Sequence, residues 1–136
     1  MKTYRIILVE NDEDEQFFMR EAFEASGRFE VLAQASNGDE LVTWLREHPG
    51  QLPDLILSDL NMPGMNGMEL LHALRADARY AALPVVITST SSTQSIIDRA
   101  LAAGASWYRV KPETFISYGP FAETLYQELQ ARLAVG

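Results

Sequence analysis

Asp59 closes a short apolar run, Leu55-Ile56-Leu57-Ser58, and a turn built from Asn61, Met62, Pro63 and Gly64 follows at once. An apolar run of that length reads as a buried parallel strand. In an open α/β sheet, ligands collect at the carboxyl ends of such strands. A free carboxylate there can act as a nucleophile or a metal ligand. Three other runs also end in chemically active groups. Tyr4 to Val9 leads into the acidic cluster Glu10-Asn11-Asp12-Glu13-Asp14, Val85 to Ile87 into Thr88-Ser89-Thr90, and Trp107 to Val110 into Lys111-Pro112. Two carboxylate positions, a hydroxyl and an ammonium together could hold a divalent cation and a phosphoryl group.

These four ends need a sheet to bring them together. The pattern predicts a helix over 15–26, with Phe18, Ala22 and Phe23 at helical spacing and Gly27 as its stop. A strand follows over 29–35. Asn37-Gly38-Asp39 then caps a helix that runs through Glu47, with Leu41, Trp44 and Leu45 on one face. A helix over 68–76 uses Leu70, Leu71 and Leu74, and Pro84 leads into the next strand. A helix over 93–103 turns Ile96, Ile97, Ala100 and Leu101 inward and stops at Gly104. The last strand covers 106–110, and the last helix covers 120–133 with Phe121, Leu125 and Leu129 inward. Strand and helix alternate five times, which predicts a parallel sheet with helices on both faces.

Composition narrows the function further. The 136 residues suit one domain, and 47% hydrophobic residues supply a core. A net charge of −8, with no run of Lys or Arg, argues against a nucleic-acid surface. No apolar stretch reaches the ~20 residues of a membrane span, and the N-terminus lacks the apolar region of a signal peptide. With no cysteine, neither a disulfide framework nor a thiolate site is available. A cytoplasmic protein without membrane or nucleic-acid partners is the expectation. His48 and His72 lack ligand spacing and read as helix-surface residues. Asn66-Gly67 reads as a turn, and Glu13 to Glu15 as a solvated face. Trp107 reads as a packing or surface aromatic with no site role. Phe115, Tyr118, Phe121 and Tyr126 are more aromatics than a solvated end helix needs, and they suggest a homodimer or partner interface.

Four motifs, in order at the strand ends, carry a family resemblance: Leu8-Val9-Glu10-Asn11, Asp59 through Gly64, Pro84 through Ser89, and Ala103-Gly104-Ala105 followed by Lys111-Pro112. Together they resemble the CheY-like receiver domain of two-component response regulators, over essentially the whole chain. The resemblance implies a flavodoxin-like (βα)5 three-layer sandwich with strand order 2-1-3-4-5. It implies a stand-alone receiver without an output domain, and no enzyme beyond its own phosphorylation and dephosphorylation. Asp59 would accept a phosphoryl group from a sensor histidine kinase or a histidine phosphotransfer protein. Mg²⁺ would be held by Glu10, Asn11, Asp59 and the backbone carbonyl of Asn61. Lys111 would pair with a phosphate oxygen, and its bond to Pro112 would be cis. Thr88, Ser89 and Thr90 are all candidate hydroxyls by type; the family pattern selects Ser89 as the switch hydroxyl and Tyr108 as the switch aromatic. The face of helix 4, strand 5 and helix 5 would then change its partner preference.

One position departs from the pattern. Receivers place two consecutive acidic residues after the first strand, and here those positions hold Glu10 and Asn11. Asn11 keeps a carbonyl oxygen but carries no charge, so Mg²⁺ should bind the unphosphorylated protein more weakly. Asp12 and Glu13 could substitute, but they fall where a first helical turn favours acids anyway. Asn11 keeps a second reading open, a pseudo-receiver that binds partners without phosphorylation. A phosphatase with a strand-end Asp nucleophile would want a second Asp two residues on, where this chain has Asn61. No GxGxxG or GxxxxGK[ST] loop is present for a nucleotide.

Overall fold

Strands covered by helices on both faces carry no polar alternation. Accordingly β3 (Leu55–Asp59) and β4 (Val85–Ser89) are buried at every position, and β1 (Tyr4–Val9) at all but Arg5. The computed structural model describes residues 2–133. With β2 (Phe29–Ala35) and β5 (Trp107–Val110) these strands form one parallel sheet, in the order β2-β1-β3-β4-β5. This is the flavodoxin-like order expected from the sequence. The β1–β2 register shifts between Ile6 and Ile7, at the outer strand of the sheet.

The helices are α1 (Glu13–Ala25), α2 (Gly38–Glu47), α3 (Gly67–Arg75), α4 (Gln94–Ala102) and α5 (Tyr118–Leu133). They cover two separate cores. On one face, Leu41, Leu45, Leu70, Leu71 and Leu74 pack on Ile7, Ile56 and Ile87. On the other, Met19 and Phe23 of α1 meet Phe121, Leu125 and Leu129 of α5 over Ile6, Leu8 and Leu57. Gly27 (φ 70°) and Gly104 (φ 115°) end α1 and α4 in the left-handed region that glycine adopts without a Cβ penalty. Among the described residues no helix is long and apolar enough to cross a membrane.

Several local expectations need correction. Phe18 is 41% exposed, because the inward stripe of α1 runs through Met19, Ala22 and Phe23. Phe18 stacks instead on Phe115, with ring centroids 4.7 Å apart. Leu101 is also exposed: Ile96, Ala100 and Ala103 form the packed stripe of the α4 region, and one residue further turns the side chain about 100° outward. The last helix starts at Tyr118, after a short 3-10 turn at Phe115–Ser117, so Pro120 lies in its first turn, where a missing N–H costs nothing. Tyr118, Phe121 and Tyr126 are buried in an aromatic core with Tyr4, Phe23 and Phe29. The surplus of aromatics near the end of the chain is therefore mostly core, and only Phe115 remains exposed with Ile116 beside it.

Candidate functional site

The sheet register builds the site. Val9 pairs with Ser58, so the next residues, Glu10 and Asp59, leave neighbouring strands side by side. Asp59 pairs with Thr88, and Ser89 pairs with Val110. The Lys111 N–H then donates to the Ser89 carbonyl at 2.8 Å, which carries the lysine to the same edge. The turns around this edge are fastened by side chains. Asp12 caps α1 by accepting the Glu15 N–H at 2.9 Å. Asn66 and Glu69 form a reciprocal capping box at the start of α3. The Gly67 N–H donates to the Leu60 carbonyl at 2.9 Å and draws α3 against the end of β3.

At the centre, the Lys111 ammonium meets three carboxylates. Its Nζ lies 2.9 Å from Glu10 Oε1, 3.0 Å from Glu15 Oε2 and 3.3 Å from Asp59 Oδ2. Glu10 also accepts the Asp12 N–H at 3.0 Å, and Asp59 accepts the backbone N–H of Asn61. Both Glu10 and Asp59 are buried, and desolvation raises their pKa values above the ordinary carboxylate range. Lys111 opposes that rise, as do the two backbone N–H groups. The ammonium is itself held protonated: burial works against the charge, and the surrounding carboxylates outweigh it. Three carboxylates face one ammonium, so the cluster carries two surplus negative charges. The carboxylates converge on Lys111, and among the described residues no three His, Cys, Asp or Glu side chains are arranged to hold a metal ion.

The response regulator receiver domain model matches residues 6–116. This chain belongs to that family. The receiver is 31% identical over 113 residues to a probable methanogenesis regulatory protein, FilR2, of Methanothrix harundinacea, covering 81% of this chain and 73% of that protein. It is 40% identical over 86 residues to the chemotaxis protein CheY of Pseudomonas aeruginosa, covering 63% of this chain and 67% of CheY. Among solved structures, the phosphorylated cyanobacterial phytochrome response regulator RcpA superposes with a TM-score of 0.81 at 25% identity, covering 98% of this chain and 96% of that one. The chain is thus a receiver of two-component signalling with a CheY-like fold.

The receiver brings Glu10, Asp59 and Lys111 into one cluster, as its sequence implies, with Ser89 at the neighbouring strand end. Ser89 is buried, and its Oγ accepts the Ser91 N–H at 3.2 Å. Thr90 is exposed, while Thr88 is buried with its Oγ1 lacking a hydrogen-bond partner. A cleft of about 250 Å³ opens beside Ser89, bordered by Asn61, Met68, Ile96 and Arg99. Tyr108 is half-buried, and its hydroxyl donates to the Ser91 carbonyl at 2.7 Å, tying β5 to the loop after β4. Asn11 is exposed on the turn after β1, and Asn61 is likewise exposed. The Lys111–Pro112 bond is trans, not cis; trans is the intrinsic preference of such a bond, by about 0.5–1 kcal/mol.

Two participants escape a reading of the sequence. Glu15 belongs to the Lys111 cluster and not to a solvated face. Tyr118, from the first turn of α5, donates its hydroxyl to the same Glu15 Oε2. Burial and the Glu15 carboxylate hold that phenol protonated, well above its usual range. The helical phase of Asp12 and Glu15 is the only sequence signal for the first. Tyr118 has none, because its partner is 103 residues away. His72 is exposed, while the His48 ring stacks on Trp44 at 4.2 Å.

Proposed function

We propose that Asp59 accepts a phosphoryl group from a phosphohistidine of a sensor histidine kinase or a histidine phosphotransfer protein. The observation that carries this reading is the Lys111 ammonium 3.3 Å from a buried strand-end Asp59 carboxylate, with the Ser89 hydroxyl on the adjacent strand end. An Asp59 oxygen attacks phosphorus, the P–N bond to the imidazole breaks, and its electron pair returns to the ring nitrogen. Phosphoryl transfer passes through a loose transition state, so positioning and charge do most of the catalysis. Lys111 offers a fixed cation for one phosphoryl oxygen, and the Ser89 hydroxyl a hydrogen bond for another. Once Ser89 bonds the phosphoryl group, the loop to Ser91 is pulled with it, and Tyr108 follows through its bond to the Ser91 carbonyl. That is a differential contact able to shift the face of α4, β5 and α5 between two states.

A hard divalent cation suits the site, because the surplus of two negative charges is carried entirely by oxygen donors. Glu10, Asp59, the Asn11 side-chain carbonyl and the Asn61 backbone carbonyl would hold Mg²⁺, which supplies neutralisation of phosphoryl oxygen charge when bound. Asn11 contributes no charge to that set, so affinity for Mg²⁺ is low until the phosphoryl group adds its own. The same residue favours the second reading, a pseudo-receiver that binds partners unphosphorylated.

Beryllofluoride binding with Mg²⁺ titrated separates the two. The expected result is saturable, Mg²⁺-dependent binding that is absent in Asp59→Ala. Asn11→Asp should lower the Mg²⁺ half-saturation point about tenfold, the order of effect of one added charge beside the ion. No binding by the wild type, with recovery in Asn11→Asp, would favour the pseudo-receiver.

A further inference from the structure

We propose that Glu15 and Tyr118 are positioning residues for Lys111, acting on phosphoryl acceptance through that lysine alone. The inference rests on the reading of Asp59 as phosphoacceptor. An ammonium has three N–H donors and no acceptor, and Lys111 faces three carboxylates: Glu10 at 2.9 Å, Glu15 at 3.0 Å and Asp59 at 3.3 Å. The two shorter contacts go to residues that are not phosphorylated. They hold the ammonium in place and leave its longest contact on the carboxylate that reacts.

Glu10 is fixed by its strand and by the Asp12 N–H. Glu15 sits on α1, and what aims its carboxylate is the Tyr118 hydroxyl. Tyr118 is in turn fixed: it is 2% exposed and packs edge-on against Phe121, with ring centroids 5.6 Å apart. The chain of contacts thus runs from the core under α5, through Tyr118 and Glu15, to the lysine. Without it, Lys111 is free to follow Glu10 and Asp59 alone, and its long flexible stem gives up a defined position. Glu15 also leaves the cluster with three carboxylates despite the uncharged Asn11.

A purely structural role for these residues would be to pin α1 to α5, and a double-mutant cycle distinguishes the two roles. Phosphorylation of Asp59 by acetyl phosphate with Mg²⁺, which releases acetate, is followed in the full chain for Glu15→Gln, Tyr118→Phe and Lys111→Met, and for the two pairs that include Lys111→Met. Each of the first two should slow phosphorylation about tenfold, the effect of losing one hydrogen bond to a charged group. In the Lys111→Met background each should cost less than about twofold, since the partner is gone. Equal losses in both backgrounds, or no loss in the single variants, would overturn the proposal.

A second measurement works without phosphorylation. The Lys111 ¹⁵N-ammonium resonance should be protected from solvent exchange in the wild type and should lose that protection in Tyr118→Phe. If the wild type is not phosphorylated but this resonance behaves as expected, the reading of Asp59 fails and the positioning of Lys111 stands. Unchanged protection in Tyr118→Phe would count against the positioning role whatever the phosphorylation assay shows.

Discussion

Gly67 sits where the chain can least tolerate a methyl group. A Cβ built there would lie 2.7 Å from the Asp59 carbonyl oxygen, 2.9 Å from the Leu60 Cα and 3.4 Å from the Ile87 Cδ1. Ordinary contacts between carbon atoms begin near ~3.5 Å, so relief needs a shift of about half an ångström or more. The two nearest atoms are backbone, held by the β3–β4 ladder and by the Leu60 N–H to Thr88 carbonyl bond of 2.9 Å. Overpacking of this kind costs about 1–3 kcal/mol, and a rigid neighbour puts Gly67→Ala toward the upper end. Alanine's better helix propensity returns at most about 1 kcal/mol, less at the first position of a helix. The net expectation is a loss of about 2 kcal/mol, which lowers the urea midpoint by about 1 M for an m-value near 2 kcal/mol/M. Gly119→Ala is the matched control. It also lies in a first helical turn, and its Cβ would meet nothing within 4 Å. It should gain about 0.5–1 kcal/mol. Equilibrium urea unfolding followed by circular dichroism measures both. A Gly67→Ala midpoint equal to or above the wild type, with an unchanged m-value, would refute the close-approach argument. The displaced Asp59–Leu60 backbone should also slow phosphoryl acceptance.

Asn66→Ala removes the side-chain half of the capping box at α3, the acceptor of the Glu69 N–H, and should cost about 1 kcal/mol in the same unfolding assay. Glu10 and Asp59 have raised pKa values in the folded protein, mainly from desolvation. The folded state therefore holds their protons more tightly than the unfolded state. Stability from these two groups rises as pH falls from their raised native values toward the unfolded carboxylate range near ~4. Asp59→Asn removes one of them, so its stability advantage over the wild type should be larger at pH ~7.5 than at pH ~5. An equal difference at both values would contradict the burial argument. Lys111→Met should destabilise the protein more at neutral than at acidic pH, because it leaves three carboxylates without their cation.

What could be read in the sequence was whatever depends on strand ends. Glu10, Asp59, Ser89 and Lys111 each follow an apolar run, and a parallel sheet of this order has to gather such residues at one edge. The alternation predicted the parallel sheet, and the order came with the family resemblance that the motifs carry. What could not be read depends on helical phase and distant pairing. Phe18 and Met19 differ by one position, and only packing on β1 and α5 decides which is buried. Glu15 looked solvated because acids favour a helix start for their own reasons, yet its place three residues after the cap turns it toward Lys111. The Asn66–Glu69 box was legible by its spacing, but the Asn-Gly turn signal masked it. The 3-10 turn at Phe115–Ser117 carries no periodicity, so the start of α5 was placed two residues late.

The most direct test of the account is the intact mass of the protein after incubation with acetyl phosphate and Mg²⁺, with borohydride reduction to locate the acyl phosphate. The wild type should gain one phosphoryl group and yield homoserine at position 59 after reduction, and Asp59→Asn should gain none. A phosphoryl group that persists in Asp59→Asn, or none on either the wild type or Asn11→Asp, would contradict it.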